Sequence, residues 1–153
     1  IEGQLYLSEI DLMLNSAESA QERTIKILEE AHLSEQIWLE ARTQYVLGRI
    51  CNIQKHYAEA IKYFQQALAI FDSTGMRLEY GRTLQAYSEI LLQYAQNSES
   101  HEQNLARLDE ARQIFQDCHA YLDLQEIEKI LTPLKAQKTL ATTNQSKQER
   151  RAH

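Results

Sequence analysis

The sequence predicts an all-α chain of antiparallel helix pairs, stacked about three deep and closed by one further helix. Three observations predict it. One Pro and four Gly in 153 residues leave room for long helices. The phrase AIKYFQQA at 60–67 has counterparts, TIKILEEA at 24–31 and NLARLDEA at 104–111, at intervals of 36 and 44 residues. Small residues, Ser8, Gly48 and Ser88, recur 40 residues apart in the stretches that precede each copy.

Each element follows from spacing. In AIKYFQQALAIF, Ala60, Phe64, Ala67, Leu68 and Phe71 fall at three- and four-residue steps, one face of a helix. The matching face is Thr24, Leu28 and Ala31 in the first copy and Asn104, Leu108 and Ala111 in the third. LYLSEIDLML, ARTQYVLGRICNI and GRTLQAYSEILLQY precede the three copies, so each repeat is a helix pair. Turns are expected at NSAES (15–19), QKHYAE (54–59), DSTGM (72–76) and QNSESHEQ (96–103). A single pair cannot bury its own apolar face, so stacking must supply the core. Gly48 facing Ala60 would let the middle pair cross closely, with Leu47 and Phe64 filling the space beside them. AYLDLQEIEKILTPL reads as an amphipathic capping helix that stops near Pro133. The repeat domain is thus expected over 1–134. The polar remainder, 135–153, has almost no large apolar residues and is expected to be a disordered basic tail.

Composition narrows the function. With 43% hydrophobic and 25% charged residues the chain can form one soluble domain with a core. The net charge is −6; five basic residues from Lys135 onward against Glu149 make the tail +4 and leave −10 for the rest. An acidic body disfavours nucleic acid, which needs a basic face. No apolar run reaches bilayer-spanning length and no signal peptide opens the chain, so no membrane partner is expected; Ile1 at the start reads as an excised fragment or processed chain. Cys51 and Cys118 belong to no CxxC pair and sit among apolar neighbours as small hydrophobes, which suits the reducing cytoplasm.

The middle repeat resembles the tetratricopeptide (TPR) family, whose helix–turn–helix pattern runs W-x2-L-G-x2-Y and then A-x3-F. It carries Leu47-Gly48, then Ala60-x3-Phe64 and Ala67, with the family's twelve-residue step from Gly48 to Ala60. Gln44 replaces the Trp, Cys51 the Tyr, and Asp72 the closing Pro. The outer repeats depart further, with Ser for Gly and four extra residues between their paired helices; the resemblance covers about residues 4–133. DSTGMRLEYGRTL is similar to the long inter-repeat joint of TPR arrays in large bacterial STAND-type regulators. The resemblance implies a TPR-like α-solenoid that binds a protein or peptide, as the scaffold or sensor part of a bacterial signalling protein.

It also implies where. The first helices of successive TPR repeats line a concave groove. Counted from Gly48, the groove places are Arg42, Tyr45, Arg49 and Asn52, and in the next repeat Arg82, Gln85, Glu89 and Gln93. Arg42 and Arg82 recur at one place and could hold carboxylates bidentately. The basic-and-asparagine set of the chaperone-binding carboxylate clamp is not reproduced. Alternatively, Glu9, Arg49 and Glu89, equivalent places of alternating sign, pair into a ladder that only neutralises the groove. Two other functions stand beside partner binding: sensing of a peptide or small effector, and self-association into a homo-oligomer through the exposed ends of a short stack.

Catalysis and metal binding find no support. Glu29-x-x-His32 has half the spacing of a carboxylate-bridged di-iron site, but no other histidine has Glu three residues before it. HExxH, a glycine-rich phosphate loop and a nucleophile elbow are all absent from the sequence. Neither an enzyme nor a cofactor is expected. Tyr63 and Tyr87 fit packing, and Trp38 fits an anchor at the joint between repeats.

Overall fold

A computed structural model describes residues 4, 5, 9, 16–94 and 98–152. Among them there are six helices and no strand: α1 (Ala17–Leu33), α2 (Ile37–Ile53), α3 (Tyr57–Thr74), α4 (Arg77–Tyr94), α5 (Ser98–Asp117) and α6 (Tyr121–Arg151). The all-helical expectation holds. Most of LYLSEIDLML, including Ser8, lies outside the described residues, although Leu5 is buried in a cluster with Ile27, Leu39 and Ile50. No helix of the described residues is long and apolar enough to cross a membrane.

Four joints are built the same way. Glu35 (φ 54°), Lys55 (φ 63°), Gly75 (φ 70°) and His119 (φ 54°) each take the left-handed conformation just past a helix end. The next amide, from Gln36, His56, Met76 or Ala120, donates back to the carbonyl of Ala31, Cys51, Phe71 or Phe115 at 2.8–3.0 Å. This is the Schellman arrangement, which satisfies carbonyls that the helix leaves open. The carbonyl of that same residue then accepts from Glu40, Ala60, Tyr80 or Leu124 and opens the next helix. One residue closes one helix and starts another, so the joints are two or three residues long and the neighbours run antiparallel. DSTGMRLEYGRTL, expected as a long joint, is therefore mostly helix; only Gly75 and Met76 lie outside α3 and α4. The loop expected at 96–103 is also shorter, because α5 begins at Ser98; the segment has no Gly or Pro to delay it.

Aligning the joints corrects the repeat. Glu35 and Gly75 are 40 residues apart, so the buried face of α1 is Ala20, Thr24, Ile27 and Ala31 against Ala60, Phe64, Ala67 and Phe71 in α3. The expected match of Thr24 to Ala60 is four residues out, and Leu28 is only half-buried. A four-residue slip returns to the same helix face, so periodicity alone cannot detect it. The twelve-residue step now holds in the first repeat as in the middle one. In α5 the equivalent residues are Asn104, Leu108, Ala111 and Phe115, all buried and shifted by 44 as expected.

The first helices keep the 40-residue register too. Ala41, Thr43, Gln44, Gly48 and Ile50 are buried in α2, and Gly81, Thr83, Leu84, Ser88 and Ile90 in α4. Thr43 and Thr83 donate their hydroxyls to the carbonyls of Leu39 and Glu79, which satisfies them inside the helix. Gly48 does allow a close crossing, but its nearest neighbour is not Ala60. A Cβ there would lie 2.6 Å from the ring of Phe64. The core is a row of clusters along the helix order, not one centre: α1 packs on α2, α2 on α3, α3 on α4, α4 on α5 and α5 on α6, with α2 also touching α4.

α6 caps α5 through Ile127 and Leu131 but does not stop near Pro133. It continues to Arg151, through the segment expected to be a disordered tail. Proline removes one helical hydrogen bond and costs about 3 kcal/mol inside a helix. Ties on both sides oppose that break: buried Leu131 before it, and Lys135–Asp109 (2.8 Å) and Lys138–Glu102 (3.5 Å) after it. The places on α6 equivalent to Gly81, Leu84 and Ser88, which face a partner helix in α4, are Gln125, Glu128 and Thr132, all exposed. That polar face ends the pairing. Cys51 is buried as expected, whereas Cys118 is exposed in the turn after α5, not packed among apolar neighbours.

Candidate partner-binding groove

Residues three or four apart on α2 and α4, with Tyr45 and Ala86 packed at the edge of the core, form rows on one side of the molecule. Tyr45, Arg49, Asn52 and Ile53 from α2 line one wall of a groove of about 660 Å³. Arg82, Gln85, Ala86 and Glu89 from α4 line the next, and Leu122, Asp123 and Glu126 from the start of α6 close it. Phe64 of α3 reaches the floor between α2 and α4. Six of the eight residues expected in a groove thus come together. Arg42 and Gln93 are not among its lining residues.

The floor is aromatic. The Tyr45 ring lies 5.9 Å from that of Phe64, tilted against it, and the Arg49 guanidinium sits 5.8 Å over Tyr45. Burial pushes the Tyr45 hydroxyl pKa above its usual value, opposed by the charges of Arg49 and Arg82 and reinforced by Glu9 and Glu89. Arg82 is already bound. Its Nε and Nη2 donate to both carboxylate oxygens of Asp123 at 2.9 and 3.0 Å, so the carboxylate expected from a partner is supplied by α6. That hydrogen-bonded pair raises the Arg82 pKa further.

The expected neutralising ladder does not form among the described residues. Arg49 stacks on Tyr45, and Glu89 accepts from Gln85 Nε2 at 2.9 Å; no ion pair joins Arg49 to Glu9 or Glu89. Burial raises the Glu89 carboxyl pKa, and the Gln85 hydrogen bond only partly offsets this. The groove therefore presents one guanidinium and one carboxylate that form no ion pair among the described residues. At its rim Ile53 is 50% and Leu122 79% exposed. Histidine, cysteine and serine do not occur among the described residues of its lining.

Sequence reading missed Ile53, Phe64, Ala86 and the three α6 residues. Glu126 was within reach, since it continues the Arg42–Arg82 row once the last interval is taken as 44. Asp123 was not, because nothing local shows that a capping helix turns its first residues toward Arg82. Elsewhere, Glu29 and His32 are exposed on the outside of α1, and His32 lies 3.6 Å from Glu40. Tyr63, Tyr87 and Trp38 pack against core clusters, as expected. No protein-family model matches the chain, and no curated protein matches it.

Proposed function

We propose that this chain is a protein–protein interaction module, a TPR-like stack that takes a segment of a partner protein in the groove between α2, α4 and α6. One observation carries the reading. Six residues expected from the family resemblance line one groove, with an aromatic floor, two charges that form no ion pair among the described residues and an apolar rim. Such a groove offers an apolar side chain a place between Ile53 and Leu122 and offers polar groups Arg49, Asn52 and Glu89. It is a surface for holding, and the described residues of its lining carry no nucleophile–base pair. A role as scaffold or sensor in a larger bacterial regulator rests on the sequence resemblance, and a cytoplasmic place on the unpaired cysteines.

Pull-down with the 153-residue chain should recover a protein partner. Arg49→Glu combined with Leu122→Asp should abolish capture while helical content is kept. Capture that survives both substitutions counts against the groove.

The volume favours one second reading, a peptide or small-effector sensor, because about 660 Å³ lies within the usual range of ligand pockets. A ligand at a hundred times its dissociation constant would add about 2.7 kcal/mol to stability, visible as a thermal shift. The absence of a shift across peptides and metabolites would remove this reading and leave the first.

A further inference from the structure

Beyond the groove, the two ends of the helix order carry opposite, unneutralised charge. Every residue of α6 from Lys135 onward is exposed, and its last ties to α5 are those of Lys135 and Lys138. Thr139–Arg151 is a bare helix roughly 20 Å long at about 1.5 Å per residue. A helix of that length is marginal alone in water, so it has stability to gain by docking. Leu140, Lys147 and Arg151 stand at i, i+7 and i+11 and share one face, with Arg150 beside them. Leu140 is 66% exposed.

The outer face of α1, opposite buried Ala20, Thr24, Ile27 and Ala31, matches this pattern in the opposite sign. Glu18, Glu22, Glu29 and Leu33 stand at i, i+4, i+11 and i+15, with Ile25 on one flank and Lys26, four residues after Glu22 and three before Glu29, on the other. All are exposed, Leu33 at 84%. Among the described residues none of Glu18, Glu22, Glu29, Lys147, Arg150 or Arg151 has an ion-pair partner, although most other charges on α5 and α6 do. Within one chain α1 packs on α2 and α6 on α5, at opposite ends of the helix order.

We propose that the chain self-associates head to tail, the basic stripe of the α6 extension in one copy docking on the acidic outer stripe of α1 in another. The two stripes have the helical period, an apolar residue each and complementary charge. The contact joins different surfaces on the two copies, so it repeats into a ring or an open filament. It uses no groove residue, and its outcome is independent of the groove reading.

Light scattering over a concentration series of the 153-residue chain tests it. Association should appear at about 20 mM salt and weaken at about 300 mM, where charges are screened beyond roughly 6 Å. Lys147→Glu with Arg151→Glu, or Glu22→Lys with Glu29→Lys, should each weaken it about tenfold or more. Mixing the two variants should restore it, because each reversed stripe then finds its complement. A monomer at every concentration in low salt overturns the proposal. So does association indifferent to both reversals, or loss that mixing does not rescue. Circular dichroism of each variant separates lost docking from lost helix.

Discussion

The middle helix pair, α2–α3, and the last, α4–α5, share one register and fill it differently. In the middle pair Gly48 lies under the ring of Phe64; in the last pair the same places hold Ser88 and Leu108. Two turns earlier only the first helix differs, while the partner residues, Ile70 and Phe71 or Ile114 and Phe115, are the same types. Ala41 clusters with Phe71 in the middle pair, whereas Gly81 meets Ile114 and Phe115 in the last, with a 3.0 Å approach to each. At the Gly48–Phe64 contact the volume given up on one helix is taken by its partner, as close packing requires. The glycine that made the middle repeat look like a family member is thus one solution to a fit that the last pair solves with serine and a smaller partner.

Substitutions that copy one pair into the other sharpen this, beginning with the largest effect. Gly48→Ala should destabilise by roughly 1–3 kcal/mol through overpacking against Phe64, overriding the helix-propensity gain of about 1 kcal/mol. Gly81→Ala, which copies Ala41, meets flexible side chains at 3.0 Å and should cost less. Chemical denaturation of both variants checks the order. Equal effects would mean that the two sites pack alike.

Gln44 and Leu84 also occupy one place. Gln44 is buried and its Oε1 has no hydrogen-bond partner. Gln44→Leu should therefore stabilise by about 1 kcal/mol, measured the same way, because an unsatisfied buried group is removed. A loss of stability would show that the site has no room for the shape found in the last pair.

The joints give a smaller contrast. Gly75 takes the left-handed conformation freely, whereas Lys55 takes it with a side chain. Lys55→Gly should raise the melting midpoint by the equivalent of up to about 1 kcal/mol, and Gly75→Ala should lower it by about 1 kcal/mol.

The smallest effect concerns Glu89, which stands where α2 has Arg49. Its folded pKa is raised by burial, so the folded state holds a proton more tightly than the unfolded chain does. The contribution is therefore complete below the unfolded value and is lost as pH rises through the folded one. Glu89→Gln should gain stability relative to the parent as pH rises from the ordinary glutamate value of about 4 through the raised folded value. A constant difference across that window would show that burial does not govern this carboxyl.

Much of this architecture was legible because it repeats. The 40-residue column of Gly48 and Ser88 and the face of Ala60 to Phe71 follow from periodicity, whereas the row Tyr45–Arg49–Asn52 follows from the family resemblance. What periodicity cannot resolve was misread: the four-residue slip at Thr24 keeps the face and changes the partner. From Lys135 onward α6 continues without an apolar face, in a stretch where Lys, Gln and Ala are good helix formers. Arg82 looked free because Asp123 is 41 residues away in sequence, and only tertiary packing brings them together.

The central claim is that helix pairs in one register trade volume across a shared contact. A double-mutant cycle on Gly48→Ser and Phe64→Leu, which rebuilds the last pair's solution in the middle pair, tests it most directly. Each single change should destabilise, and the two together should cost less than their sum, with a coupling of roughly 0.5–3 kcal/mol. Strictly additive effects would contradict the account, because Gly48 and Phe64 would then not share the contact on which the comparison rests.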